Sequence, residues 1–198
     1  MIPKKLHQVW LGEKDIPEQF VEFTNNWREL HPDWDYKLWT DETISSNPEI
    51  KNLVDQCEEF SSKSNVVRLY AVHQEGGVYA DMDVDWVQSF DTLLNVNAFA
   101  ARQERHTFCN AVFGAISNCE WIKFQIEQLH ELVLLPPPWG PPLMSRAAAE
   151  YKGTEIFKEY PKDYFYPFLW FERPESKSAY KDSYAIHYWE HSWGKRPL

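Results

Sequence analysis

The sequence predicts one α/β domain over residues 1–198, with a mixed, mostly parallel sheet flanked by helices. Three observations carry this. Short apolar runs at 6–10, 98–101 and 111–116 recur between stretches of helical spacing, the order expected of a helix-flanked sheet. A chain of 198 residues has ordinary domain size and can bury a core unaided. No repeat, low-complexity segment or linker divides it.

Each element has a local reason. Leu6 to Trp10 alternates and stops at Leu11-Gly12, a first strand. Pro17 opens a helix whose apolar positions Phe20, Phe23, Trp27 and Leu30 share a face. His31-Pro32-Asp33 ends it, and Tyr36 and Leu38 mark a second strand before a turn at Asp41. Ser61 and Ser62 offer caps for a helix through Val66, Leu69, Tyr70 and His73, which Gly76-Gly77 stops. A strand over 78–84 follows, 120–135 is the clearest amphipathic helix, and the Pro-rich stretch 136–142 reads as a stiff loop.

Composition excludes some functions. A net charge of −10, from 30 acidic against 20 basic residues, argues against a nucleic-acid polymer but leaves room for one small phosphorylated ligand. Aromatic content of 16% with 10 Trp places most rings in the core and hints at stacking surfaces for sugars or bases. Cys57, Cys109 and Cys119 form no CxxC pair and read as small buried hydrophobes in a reducing compartment. No Asn begins a glycosylation sequon, no apolar signal region opens the chain, and no run approaches the roughly 18 residues of a membrane span. The expectation is a soluble, cytoplasmic protein, peripheral to a membrane if its acceptor is lipid-linked.

The chemistry concentrates in Gly76-Gly77-Val78-Tyr79-Ala80-Asp81-Met82-Asp83-Val84-Asp85. Residues two apart on an extended chain face one side, so Asp81 and Asp83 converge while Met82 turns to the core. Two carboxylates at a strand end suit Mg²⁺ or Mn²⁺ with phosphate oxygens in the remaining positions. On this reading Asp83 is a surface ligand that the fold does not need. A calcium loop fails, since its required Gly and Glu are Trp86 and Thr92 here. A haloacid-dehalogenase-type phosphatase explains the strand and DxD but lacks its downstream acidic pair. A non-enzymatic carbohydrate-binding domain explains the aromatics but not the carboxylates.

The blocks taken together resemble a known family. Ser64-Asn65-Val66-Val67-Arg68 followed by Gly76-Gly77-Val78-Tyr79-Ala80-Asp81-Met82-Asp83 is similar to the motif of the DXD sugar transferases of glycosyltransferase family 32. Distant relatives are the glucosylating domains of clostridial toxins. The opening 2–10, the block 31–39, Gly140-Pro141 and the closing 185–193 resemble further family blocks in order. The resemblance implies a GT-A fold and a hexosyltransferase. Such an enzyme uses Mn²⁺ or Mg²⁺ and a UDP- or GDP-sugar donor. Its acceptor is a glycan, a lipid-linked sugar or a protein, and transfer retains the anomeric configuration.

It also implies roles. Trp10, with the Val9 backbone, stacks on the base, unless it is simply a core Trp at a strand end. Asn65 and Arg68 share a helix face and hold donor oxygens; for Arg68 the alternative is an ion pair with a neighbouring carboxylate. Tyr79 lines the pocket, Asp81 contacts ribose or metal-bound water, and Asp83 binds the metal. His187 is a further metal ligand or a structural His. Ser192 and Trp193 close over the diphosphate and its sugar, and Asn110 lies near the sugar. Asn65 departs from the family's Asp and removes a charge there.

Overall fold

A six-stranded sheet in the order β2-β1-β3-β6-β5-β7 forms the spine of the molecule. The computed structural model describes residues 1–132, 140–151 and 156–190. The strands are β1 (Lys5–Val9), β2 (Asp35–Trp39), β3 (Gly77–Ala80), β4 (Val84–Trp86), β5 (Ala98–Glu104), β6 (Thr107–Ala115), β7 (Phe157–Tyr160) and β8 (Ala185–His187). The parallel pairs are β1/β2, β1/β3 and β5/β7, and β6 runs against both neighbours. The mixed, mostly parallel sheet is as the sequence predicts. A separate ribbon, β4 against β8, pairs Val84 with His187.

The helices are α1 (Glu18–Leu30), α2 (Asp41–Ser45), α3 (Pro48–Val54), α4 (Phe60–Glu75), α5 (Glu120–Leu132) and α6 (Pro141–Glu150). Several differ from the sequence reading. The turn at Asp41 is the start of α2, closed by a capping box between Thr40 and Thr43. Asn47 caps α3 with Pro48 in its first turn, a signal that was present in the sequence. Helix α4 starts from Glu59 without a side-chain cap; Ser62 faces inward instead of capping. Pro141 and Pro142 belong to α6, where a missing N–H costs no helical bond. Residues 133–139 lie outside the described residues, as does the end of the helix expected over 120–135.

The expected strand over 78–84 is broken. After β3 the chain turns at Asp81-Met82-Asp83, with Val84 N–H bonded to Asp81 O at 3.2 Å, before β4 resumes. The two glycines ahead of it are needed for conformation: φ is +64° at Gly76 and +107° at Gly77. A Cβ on Gly77 would also meet Lys5 O at 2.6 Å, where β3 lies against β1.

The aromatic excess is mostly core. Trp27, Trp86 and Trp121 are among the largest fully buried side chains, and all three cysteines are buried and free. His7 on β1 joins sheet and turn: its Nε2 bonds Gly76 O at 2.8 Å, and its Nδ1 accepts from Trp39 Nε1 at 3.1 Å. That pattern needs the neutral ring, because a protonated Nδ1 would face another N–H donor.

Burial accordingly lowers the His7 pKa from 6.5 to about 4. Between those values the unfolded chain binds a proton that the native chain refuses, so stability falls as pH falls. Urea unfolding between pH 7 and 4 is expected to lose roughly 3 kcal/mol at this site. The variant His7→Gln should show a correspondingly flatter pH profile; an unchanged slope would remove His7 from the account.

Candidate active site

The site lies at the carboxyl ends of β1 and β3, where open α/β sheets bind ligands. Val9 and Trp10 from β1 and its exit line a cavity together with Asn65 and Arg68 of α4. Asp81 and Asp83 from the turn, Asn110 of β6 and His187 of β8 complete it. The structure therefore brings together eight of the residues the sequence singles out. Ser192 and Trp193 lie outside the described residues.

Tyr79 is the exception among the described ones. Its side chain is buried behind Asp81 and does not line the cavity. Its hydroxyl donates to Asp81 Oδ1 at 2.6 Å, so it acts on the site through that carboxylate. Burial explains this: β3 is covered on both faces, so Tyr79 lies in the core even though it shares a side with Asp81.

Arg68 takes the ion-pair alternative. Its Nη2 lies 3.1 Å from Asp81 Oδ1, and Nη1 donates to Asn110 O at 2.7 Å. Nε and Nη2 reach Ser64 O and Oγ at 3.3 and 3.0 Å, and the guanidinium stands 4.5 Å from the Tyr79 ring centroid. Burial alone would lower its pKa, but the groups around it, Asp81 foremost and Asp83 among them, together more than offset this and hold it charged. For Asp81, burial raises the pKa against the pull of Arg68, and the Asp83 charge adds to the rise.

Asp83 is not a surface ligand. It is buried, its Oδ2 accepts from Glu190 N–H at 2.7 Å, and its Oδ1 lies 3.2 Å from His187 Nε2. Burial would raise its pKa, but His187 and the Glu190 amide bring it below the ordinary value. Burial likewise opposes charge on His187, and Asp83 together with the Cys109 side chain overrides it, so that in the ion-free site the ring holds its proton well above the usual histidine range.

Asp81, Asp83 and His187 each present one ligand atom, all within 4.8 Å of one another. Two carboxylates and an imidazole form a hard, mainly oxygen donor set suited to Mn²⁺ or Mg²⁺. His187 Nδ1 is buried without a hydrogen-bond partner among the described residues. Its Nε2 lies on the side of the carboxylates, and the Cys109 side chain is a further polar neighbour of the ring. The residues fit a divalent cation.

Elsewhere in the cavity wall, Asn110 Nδ2 donates to Asn65 Oδ1 at 2.8 Å. Trp10 is largely buried against Phe20 at 6.2 Å between centroids, with Nε1 bonded to Lys14 O at 2.6 Å, yet it still borders the cavity. Both sequence readings of Trp10 thus describe part of its surroundings. Sequence reasoning missed Phe20, Ser61, Met82, Trp189 and Glu190 as lining residues; Met82, expected to turn to the core, is buried yet borders the cavity. Trp189 and Glu190 sit in the closing block with His187, and that adjacency was the available signal.

Comparison with known proteins agrees. Residues 17–100 match a family model described as a glycosyltransferase sugar-binding region containing a DXD motif. An inositol phosphoceramide mannosyltransferase of Schizosaccharomyces pombe is 33% identical over 57% of this chain and 33% of its own length. A mannosyl phosphorylinositol ceramide synthase of Saccharomyces cerevisiae is 31% identical over 59% of this chain and 32% of its own. The chain thus spans about a third of the length of these curated relatives. Among solved structures, the PaToxG glycosyltransferase superposes with a TM-score of 0.65 at 17% identity, covering 75% of this chain and 68% of that one. The galactosyltransferase LgtC, in complex with donor and acceptor sugar analogs, gives a TM-score of 0.55 at 10% identity over 93% and 86%. These likenesses show a GT-A fold. The DXD-type resemblance read from the sequence is borne out, and the phosphatase alternative has no support in this fold.

Proposed function

We propose that this chain, a GT-A domain carrying a DXD-containing glycosyltransferase region, transfers a hexose from a nucleoside diphosphate donor. Asp81, Asp83 and His187 would hold Mn²⁺ or Mg²⁺ for the reaction. The observation that carries the reading is the convergence of that triad on one cavity at the strand ends. When bound, the ion supplies positive charge against the negative charge developing on the departing diphosphate.

The chain's own residues position and orient. Trp10 and the Val9 backbone offer the flat edge against which a uracil or guanine base stacks. Arg68 and Tyr79 fix one oxygen of Asp81, leaving the other directed to the cavity. Asn65 and Asn110, bonded to each other, still present one amide donor and one acceptor to sugar hydroxyls. Ser192 and Trp193 are assigned to the diphosphate by resemblance. The names of the curated relatives support mannose as the sugar and an inositol phosphoceramide as acceptor. No helix among the described residues is long and apolar enough to cross a membrane.

Retention is best served by a front-face route, in which the departing phosphate oxygen takes the acceptor proton and positioning supplies most of the rate. Both aspartates are engaged with fixed partners, Asp81 with Arg68 and Tyr79 and Asp83 with His187 and the Glu190 amide, and both are assigned to the metal. A sugar found covalently attached to any cavity carboxylate, Glu190 included, would replace this route by a double displacement.

The test is calorimetry with GDP and UDP. Binding is expected only with Mn²⁺ or Mg²⁺ present, and equal affinity in chelator would sink the proposal. Turnover should release a nucleoside diphosphate and no inorganic phosphate.

A further inference from the structure

The chain leaving β8 doubles back over Asp83. Tyr188 N–H donates to Asp83 O at 3.0 Å, and Glu190 N–H donates to Asp83 Oδ2 at 2.7 Å. Between those two amides stands Trp189 with φ of +58°, a left-handed conformation that a bulky L residue seldom adopts. An extended residue there would continue the direction of β8 and carry the Glu190 amide away from Asp83.

Such strain persists only where the surroundings over-determine it. Here the indole supplies the restraint. Its Nε1–H donates to Phe168 O at 3.0 Å, and its ring lies 4.2 Å from the His187 ring and 5.8 Å from that of Tyr166. The ring thus packs beside His187 while the backbone carries a hydrogen bond to Asp83. His187 has no hydrogen bond on Nδ1 among the described residues, the atom from which a metal-binding imidazole is usually oriented. Ring contact with Trp189 at 4.2 Å, closer than that with Tyr166 at 6.0 Å, orients it together with the neighbouring Cys109 side chain.

We infer that Trp189 is a positioning residue: its anchored indole and left-handed backbone form a clip that holds the Asp83 carboxylate and the His187 imidazole in their mutual arrangement. What the pair then holds rests on the function proposed above; the clip itself requires no ion. Trp189 acts through Asp83 and His187, so its loss disturbs the site more than the fold.

Trp189→Ala and Trp189→Phe in the full chain test this, with urea unfolding as the control for global stability. Amide exchange at Glu190 in ion-free protein reads the clip. Titration with Mn²⁺ alone, followed by the paramagnetic resonance of free Mn²⁺, reads its use. In Trp189→Ala, exchange at Glu190 is expected to accelerate and Mn²⁺ affinity to fall by about 10- to 100-fold, the usual consequence of losing an outer support. Trp189→Phe keeps a ring beside His187 but loses the bond to Phe168, and should fall between.

A folded Trp189→Ala with the parent's exchange at Glu190 and the parent's Mn²⁺ affinity overturns the inference. So does a uniform rise across β4 and β8, which would mark simple packing. Should the alanine variant fail to fold, Trp189→Phe decides, and unchanged exchange there overturns it. Parent protein that takes up no Mn²⁺, while Glu190 exchange responds as expected, keeps the clip and counts against the metal-linked function.

Discussion

Asp83→Asn is expected to lower sugar transfer by about 10²- to 10³-fold, the range seen when one electrostatic contact to the developing charge is lost. The amide keeps the shape of the carboxylate but not its charge, and an amide oxygen is a poorer ligand for a divalent cation. Asparagine is the informative replacement because Asp83 is buried. Alanine would leave the Glu190 amide unbonded and the His187 ring beside an empty space, confounding a lost ligand with a damaged fold. With Asn the Oδ position can still accept from Glu190, so the unfolding midpoint should move far less than the turnover. Steady-state transfer and urea unfolding on the same preparation check this. Near-normal turnover would remove Asp83 from the reaction, and a collapse of stability equal to the loss of activity would make its role structural.

Arg68→Met should destabilise the protein by about 3–5 kcal/mol, because removing one partner strands a buried charge. The side chain is buried and serves Asp81, Asn110 O and Ser64 at once. Methionine fills the volume without any donor, leaving Asp81 with the Tyr79 hydroxyl as its remaining described side-chain hydrogen bond. Asp81 stays 25% exposed, so solvent screens part of the loss and the lower end of that range is expected. Arg68→Lys should recover little, since a point charge cannot reproduce the planar fork. Combining Arg68→Met with Asp81→Asn should restore part of the stability, and urea unfolding of the four proteins gives the coupling directly. A loss below about 1 kcal/mol, or strict additivity in the cycle, would mean that the pair is screened as a surface bridge is.

The local sequence determined a great deal here. Alternation in 6–10 and helical spacing in 17–30 are short-range signals, and both elements stand where the pattern put them. Gly76-Gly77 ahead of the DXD turn announced a backbone that only glycine holds comfortably, and both have positive φ. The spacing of Asp81 and Asp83 correctly brought two carboxylates together, although a turn and not a pleat does it.

Tertiary structure decided the rest. Whether Arg68 faced a ligand or a carboxylate depended on how α4 lies against β3, a packing distance that no local pattern contains. Asp83 looked exposed because its cover, the His187 ring and the Glu190 amide, arrives from about a hundred residues downstream. The same holds for Tyr79, whose burial follows from sheet on one side and helix on the other. The short helices α2 and α3 went unread because a single turn or two carries too few apolar positions to set a period. Residue types and chain order fix which groups are available to the site. Their charge states, partners and burial are set by long-range contacts, since desolvation and Coulomb energy depend on distance through space.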